Sequence, residues 1–161
     1  MNRGLYGLPR GLEGFVKSGA STKFVMTGTQ GTGYVLFDQE PTWDQLGIRK
    51  DSRTYIYFPK RGRYYCEASL RFTGTGSSFI ECFMRHGFFN NGSDTTIEYF
   101  AAQSIRGVGD PVGIKLAGII ETPIETPTWP GEPSFVNVLV QGSAIGTLSY
   151  ASLLVELKRV P

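Results

Sequence analysis

From Arg63 to Phe72 the chain alternates, with Tyr64, Cys66, Ala68, Leu70 and Phe72 on one side and Arg63, Tyr65, Glu67, Ser69 and Arg71 on the other. A period of two, and not 3.6, predicts a β-strand with one face in a core. Similar runs predict strands over 23–26, 34–37, 54–58, 79–85, 95–101, 112–121, 135–141 and 148–158. A total of about eight or nine short strands suits a sandwich or a barrel. The segments between them are turn-forming: Thr-Gly-Thr-Gln-Gly-Thr-Gly from Thr27, Pro59-Lys60-Arg61-Gly62, Thr73-Gly74-Thr75-Gly76, Asn90-Asn91-Gly92 and Gly107-Val108-Gly109-Asp110. Glycine and asparagine tolerate the positive φ that tight hairpins require.

Composition agrees with this picture. The chain has 161 residues, of which 21 are Gly and 13% are aromatic. Runs of Ala, Leu, Glu and Lys at helical period are missing, so strands and tight turns are expected. That length fits one domain, 22–161, which would bury about 70% of the surface of the unfolded chain. Before it, residues 1–21 read as an extended arm. Gly4, Gly7, Gly11, Gly14 and Gly19 make this segment too Gly-rich for a stable helix, and its apolar residues make it unlike an inert linker. Leu5, Tyr6, Leu8, Leu12 and Phe15 are its docking candidates.

Charge narrows the partners. The formal charge is +2, with Lys and Arg scattered, so no nucleic-acid footprint is present. No run of about 18 apolar residues occurs, and the first residues lack the apolar centre of a signal peptide. The expectation is a protein made in the cytoplasm without export and not inserted in a membrane. Cys66 and Cys82, the only cysteines, sit in strand-like runs and read as small buried apolar groups.

Catalytic chemistry is sparse. His86 is the only histidine, which excludes a multi-His metal site and leaves a Ser-His-Asp reading dependent on one residue. Beside Gly87 at an expected strand end, it reads as a turn or surface residue. Glu81, Asp94, Glu98 and Asp110 lie on different elements and read as solvated or paired carboxylates. No Gly-rich segment ends in Gly-Lys-Ser/Thr, so none is a phosphate loop. Asn91-Gly92-Ser93 is a formal glycosylation sequon but reads as a turn. The chain is therefore not expected to be an enzyme.

Two longer stretches carry a resemblance. Tyr34-Val-Leu-Phe-Asp-Gln-Glu-Pro-Thr-Trp-Asp-Gln-Leu-Gly47 is followed by Ile56-Tyr-Phe-Pro-Lys-Arg-Gly62-Arg-Tyr64 and the alternating strand. Together they resemble the complement globular-head and tumour necrosis factor superfamily. Phe79 to Gly87 is similar to that family's strand ending in Leu-Met-Lys/Arg-Asn-Gly, with His86 in place of Asn, and Ser149 to Leu157 is similar to its closing strand. The resemblance covers about residues 33–157 and implies an all-β jelly-roll sandwich that packs as a homotrimer. Tyr55, Tyr57 and Tyr65 have the parity opposite to the core residues of their strands, and such outward aromatics suit burial by a trimer partner. Related folds hold calcium through loop carboxylates, and Asp38, Asp44 and Asp51 raise that question, but no spacing demands a metal and no cofactor is expected.

The chain shows neither a collagen-like stalk nor a secretory signal, so the resemblance points to the bacterial and bacteriophage use of the fold. A trimeric capsid decoration or cement protein, docked through its arm on the major capsid protein or another virion protein, is the leading expectation. A tail-fibre or spike knob binding a host-surface receptor or glycan is the second. A non-viral bacterial globular-head-like binding protein is the third. The loop from Thr122 to Ser134, with four prolines around Trp129, is the contact candidate for the knob, because stiff segments lose less entropy on binding and Trp is a frequent anchor.

Overall fold

A computed structural model describes residues 13–18, 24–26, 31–37, 43–44, 54–58, 62–73, 79–90, 92–106, 111–122, 134–142 and 146–159. Among them are eleven strands and no helix: β1 (Glu13–Ser18), β2 (Phe24–Met26), β3 (Gly31–Tyr34), β4 (Trp43–Asp44), β5 (Ile56–Tyr57), β6 (Arg63–Thr73), β7 (Phe79–Asn90), β8 (Ser93–Arg106), β9 (Val112–Glu121), β10 (Phe135–Gly142) and β11 (Gly146–Arg159). They form two antiparallel sheets. The larger runs β4-β1-β11-β6-β9, with β2 also on β11; the smaller runs β3-β10-β7-β8, with β5 also on β10.

The alternating residues meet between the sheets. Tyr64, Cys66, Ala68, Leu70 and Phe72 of β6, with Ile114, Leu116 and Ile120 of β9, face Ile80, Cys82 and Met84 of β7 and Val136, Val138 and Val140 of β10 in one buried cluster. On β11 the parity changes partway: Leu148 is buried, and so are Ala151, Leu153 and Val155. The register shift between Leu148 and Tyr150 explains this, since one extra residue turns the rest of the strand over. The core is thus a jelly-roll sandwich of the expected class.

The largest departures from expectation lie in the β7–β8 hairpin. β7 continues to Asn90 through His86 and Gly87, where a strand end was expected. The hairpin closes with Asn90 opposite Ser93 and Gly92 at a φ of 79°, as an Asn-Gly turn requires. β8 carries two register shifts. Met84 faces Ala101 and Arg85 faces Tyr99, leaving Phe100 as an extra residue; His86 faces Glu98 and Gly87 faces Thr96, leaving Ile97 as a second. Each bulge breaks the alternation on which strand reading depends.

At the other end, Glu13–Ser18 was expected in the arm. It forms β1 and pairs along its length with β11 and at Phe15 with Trp43 of β4. The sheet therefore begins before residue 22. Leu5, Tyr6, Leu8 and Leu12 lie outside the described residues.

Candidate functional site

The outward face of the larger sheet is a ladder of cross-strand rows. From one end these are Tyr150–Arg71–Gly113, Ser152–Ser69–Lys115, Leu154–Glu67–Ala117 and Glu156–Tyr65–Ile119, each read across β11, β6 and β9. Tyr65 is engaged here: its hydroxyl donates to Glu67 at 2.7 Å, and Lys158 lies 5.8 Å from its ring centroid. The Tyr65 hydrogen bond, with Lys115 Nζ 3.0 Å from the other oxygen, holds the Glu67 carboxyl below its ordinary range.

The outward face of the smaller sheet is different. It carries its own aromatic layer, in which Phe135 packs edge-on against Tyr55 at 4.7 Å and Tyr57 at 6.2 Å. Tyr57 is only 7% exposed, so its own chain covers it; the expectation of an outward aromatic awaiting a partner does not hold for this residue. Tyr55 is half-buried, with its hydroxyl donating to Asp94 at 3.0 Å. Burial first, and this bond to a carboxylate second, push its pKa up to about 12. Tyr65 belongs to the opposite sheet, so the three tyrosines do not form one patch.

Beneath this layer Arg85 is buried. Its Nε donates to Asn137 Oδ1 at 3.0 Å, Nη1 to Thr96 Oγ1 at 3.2 Å and Nη2 to Asp94 Oδ2 at 2.6 Å. The guanidinium also stacks over Tyr34 at 5.1 Å and Phe135 at 5.4 Å. All three guanidinium nitrogens are thereby engaged, while Asn137 Nδ2 is left without a partner. Sequence reading missed it because Arg85 and Asn137 are 52 residues apart.

Exposed large apolar side chains concentrate elsewhere. Among the described residues they are Leu36, Ile97, Tyr99 and Ile119, at 41%, 44%, 56% and 50% exposure. Ile97 and Tyr99 lie on β8 and Ile119 on β9, the edge strands of the two sheets. The edges adjoin, since a Cβ added at Gly118 of β9 would come within 2.6 Å of the Phe100 ring of β8.

No family model matches the chain, and no curated protein does. Solved structures match in fold. An Eiger tumour necrosis factor from S. frugiperda aligns with TM-score 0.57 and 12% identity, over 94% of this chain and 96% of that one. The fold is a tumour necrosis factor-like jelly roll. Murine APRIL at pH 5.0 aligns with TM-score 0.58 and 10% identity, over 91% of this chain and 99% of that one. At these identities the likeness is one of architecture.

Within this tumour necrosis factor-like jelly roll, His86 takes a place the sequence did not indicate. It is buried in the middle of β7, edge-on to Phe58 at 5.9 Å, where a turn or surface position was expected. Neither ring nitrogen has a hydrogen-bond partner, although Nδ1 lies 3.5 Å from Glu98 Oε1. Burial lowers its pKa below 6.5, against a smaller opposing pull from Glu98. The unfolded chain therefore takes up this proton first, so stability is full above about pH 6.5 and falls as pH drops toward the folded-state value. Urea midpoints at pH 7.5 and 5.0 should show a smaller acid loss in His86→Leu than in the parent; equal losses would exclude His86 as the cause.

The other sequence candidates are scattered. Glu81 accepts from Gln141 Nε2 at 2.9 Å, Asp94 pairs with Arg85, and Glu98 lies beside His86, so these carboxylates are not brought together. Cys66 and Cys82 are free and buried, and burial pushes both thiols up, Cys82 to about 12. Among the described residues no group of three or more His, Cys, Asp and Glu side chains could hold a metal ion. Asp44 lies in β4, while Asp38, Asp51, Asp110 and Trp129 lie outside the described residues.

Proposed function

We propose that the chain acts by self-association and binding, as a homotrimer that decorates a bacteriophage capsid. The observation that carries the trimer is the exposure of Ile97 and Tyr99 on β8 and of Ile119 on β9, the adjoining edge strands of the two sheets. Edge strands exposing apolar side chains are association surfaces unless something covers them. A threefold contact is heterologous, so this edge packs against a different patch of the next subunit. The trimer implied by the family resemblance supports the same reading.

Replacing Ile97 and Ile119 together by Lys should convert trimer to monomer in light scattering while the strand signal in circular dichroism is kept. A double variant that remains trimeric would exclude this edge, and a monomeric parent would exclude the trimer.

Capsid decoration is supported by the apolar, Gly-rich segment before β1. Its test is a deletion of residues 1–12, which spares β1. The truncated chain should still trimerise but no longer bind purified capsids; undiminished binding would remove the arm from the proposal.

A further inference from the structure

One end of the ladder on the larger sheet holds a groove that neither the core nor the apolar edge accounts for. It is lined by Ser69, Arg71, Pro111, Gly113, Lys115 and Tyr150, among others. The groove exists because Gly113 stands where a strand residue would place a side chain beside Arg71. A Cβ built there would meet only the Leu70 carbonyl oxygen, at 3.9 Å, so the space above the backbone is open.

The chemistry of the lining is one-sided. Arg71 contributes a guanidinium, Ser69 and Tyr150 hydroxyls, and Lys115 an ammonium, while among the described residues no carboxylate lines the groove. Glu67, one row away, already receives the Tyr65 hydroxyl and Lys115. Arg63 lies within ion-pair reach of Glu121, Arg85 pairs with Asp94, and Arg106 stacks on Phe79. Arg71 has no such side-chain partner among the described residues. An exposed guanidinium presents parallel donors that fit a carboxylate in a bidentate manner. Tyr150 faces Arg71 directly across the strand pair, close enough for one ligand to touch both. Its ring supplies an apolar surface and its hydroxyl a polar tip.

The geometry points to this groove as a binding site for an acidic saccharide, whose carboxylate pairs with Arg71 and whose sugar ring lies against Tyr150 over Gly113. A sugar acid matches both halves of the lining, the donor set and the aromatic wall, whereas inorganic anions use only the first. The site does not rest on the trimer. Arg71 is six positions along β6 from Tyr65, the residue opposite the exposed Ile119, a span of roughly 20 Å for an extended strand.

Methyl glucuronide and its neutral counterpart methyl glucoside are suitable probes, titrated into the full chain while amide resonances are followed by NMR. The glucuronide should shift residues 69–71, 113–115 and 150 and bind at least tenfold tighter than the glucoside. Arg71→Ala should lose at least tenfold of that affinity. Gly113→Val should abolish binding by filling the groove; its Cβ meets only the Leu70 carbonyl oxygen, at 3.9 Å, and circular dichroism and native mass check that fold and assembly are kept. Equal binding of the two sugars, or binding that survives Gly113→Val, would overturn the site. Inorganic phosphate or acetate matching the glucuronide at the same residues would reduce it to an anion contact and overturn the saccharide assignment.

Discussion

Replacement of Arg85 by leucine should cost about 3 kcal/mol of folding stability, the low end of the range for removing one partner of a buried ion pair, since Asp94 is itself only partly buried. The guanidinium satisfies three groups at once: the Asn137 amide oxygen, the Thr96 hydroxyl and the Asp94 carboxylate. Asn137 is fully buried, and its Nδ2 is already without a partner. Without Arg85, both ends of this amide would be orphaned, and Asp94 would keep only the Tyr55 hydroxyl. Leucine replaces some of the packing under Tyr34 and Phe135 but none of the donors. Urea denaturation at neutral pH measures the effect, and a loss below about 1 kcal/mol would show that water takes over these bonds. Asp94→Asn should cost less, because the asparagine oxygen still accepts from Arg85.

Gly87→Ala should be comparably damaging for a steric reason. A Cβ at this position would lie 2.7 Å from Phe135 Cζ and 2.7 Å from the Thr95 carbonyl oxygen. Phe135 is fully buried and cannot swing away, and the carbonyl belongs to the neighbouring strand. Relief requires movement of β8 or of the aromatic layer, at the upper end of the cost of overpacking, about 3 kcal/mol. A thermal midpoint near that of the parent would mean that the hairpin gives way more easily than its packing implies. Gly113→Ala is the control, since its added methyl meets open space.

The regular strands were legible because their alternation is intact. The strand expected over 112–121 coincides with β9, and β6 extends its expected range by one residue. β8 was truncated in the reading because the bulges at Phe100 and Ile97 reset parity twice, and no local pattern announces a bulge. β7 was cut short because His86-Gly87 has the composition of a turn. The structure uses the glycine to admit the Phe135 ring and the histidine as a core residue. Tyr57 shows the limit of parity itself. Alternation gave its face correctly, yet whether that face is bare depends on Phe135, far along the chain. The Arg85 group and the Gly113 groove were hidden for the same reason, since both are made by register between distant strands.

The order of strands in the larger sheet also bears on how the protein is made. β11 sits between β1 and β6, so neither β1 nor β6 gains this neighbour until residues 146–159 have been synthesised. Pairings between such distant segments form slowly and leave incomplete sheets open to wrong partners. While the chain is still on the ribosome, β6 can pair with β9, but β1 waits for its partner in the sheet's interior. β11 is therefore the keystone of this sheet: every earlier intermediate has an open seam, and the sandwich closes only after translation has passed residue 159.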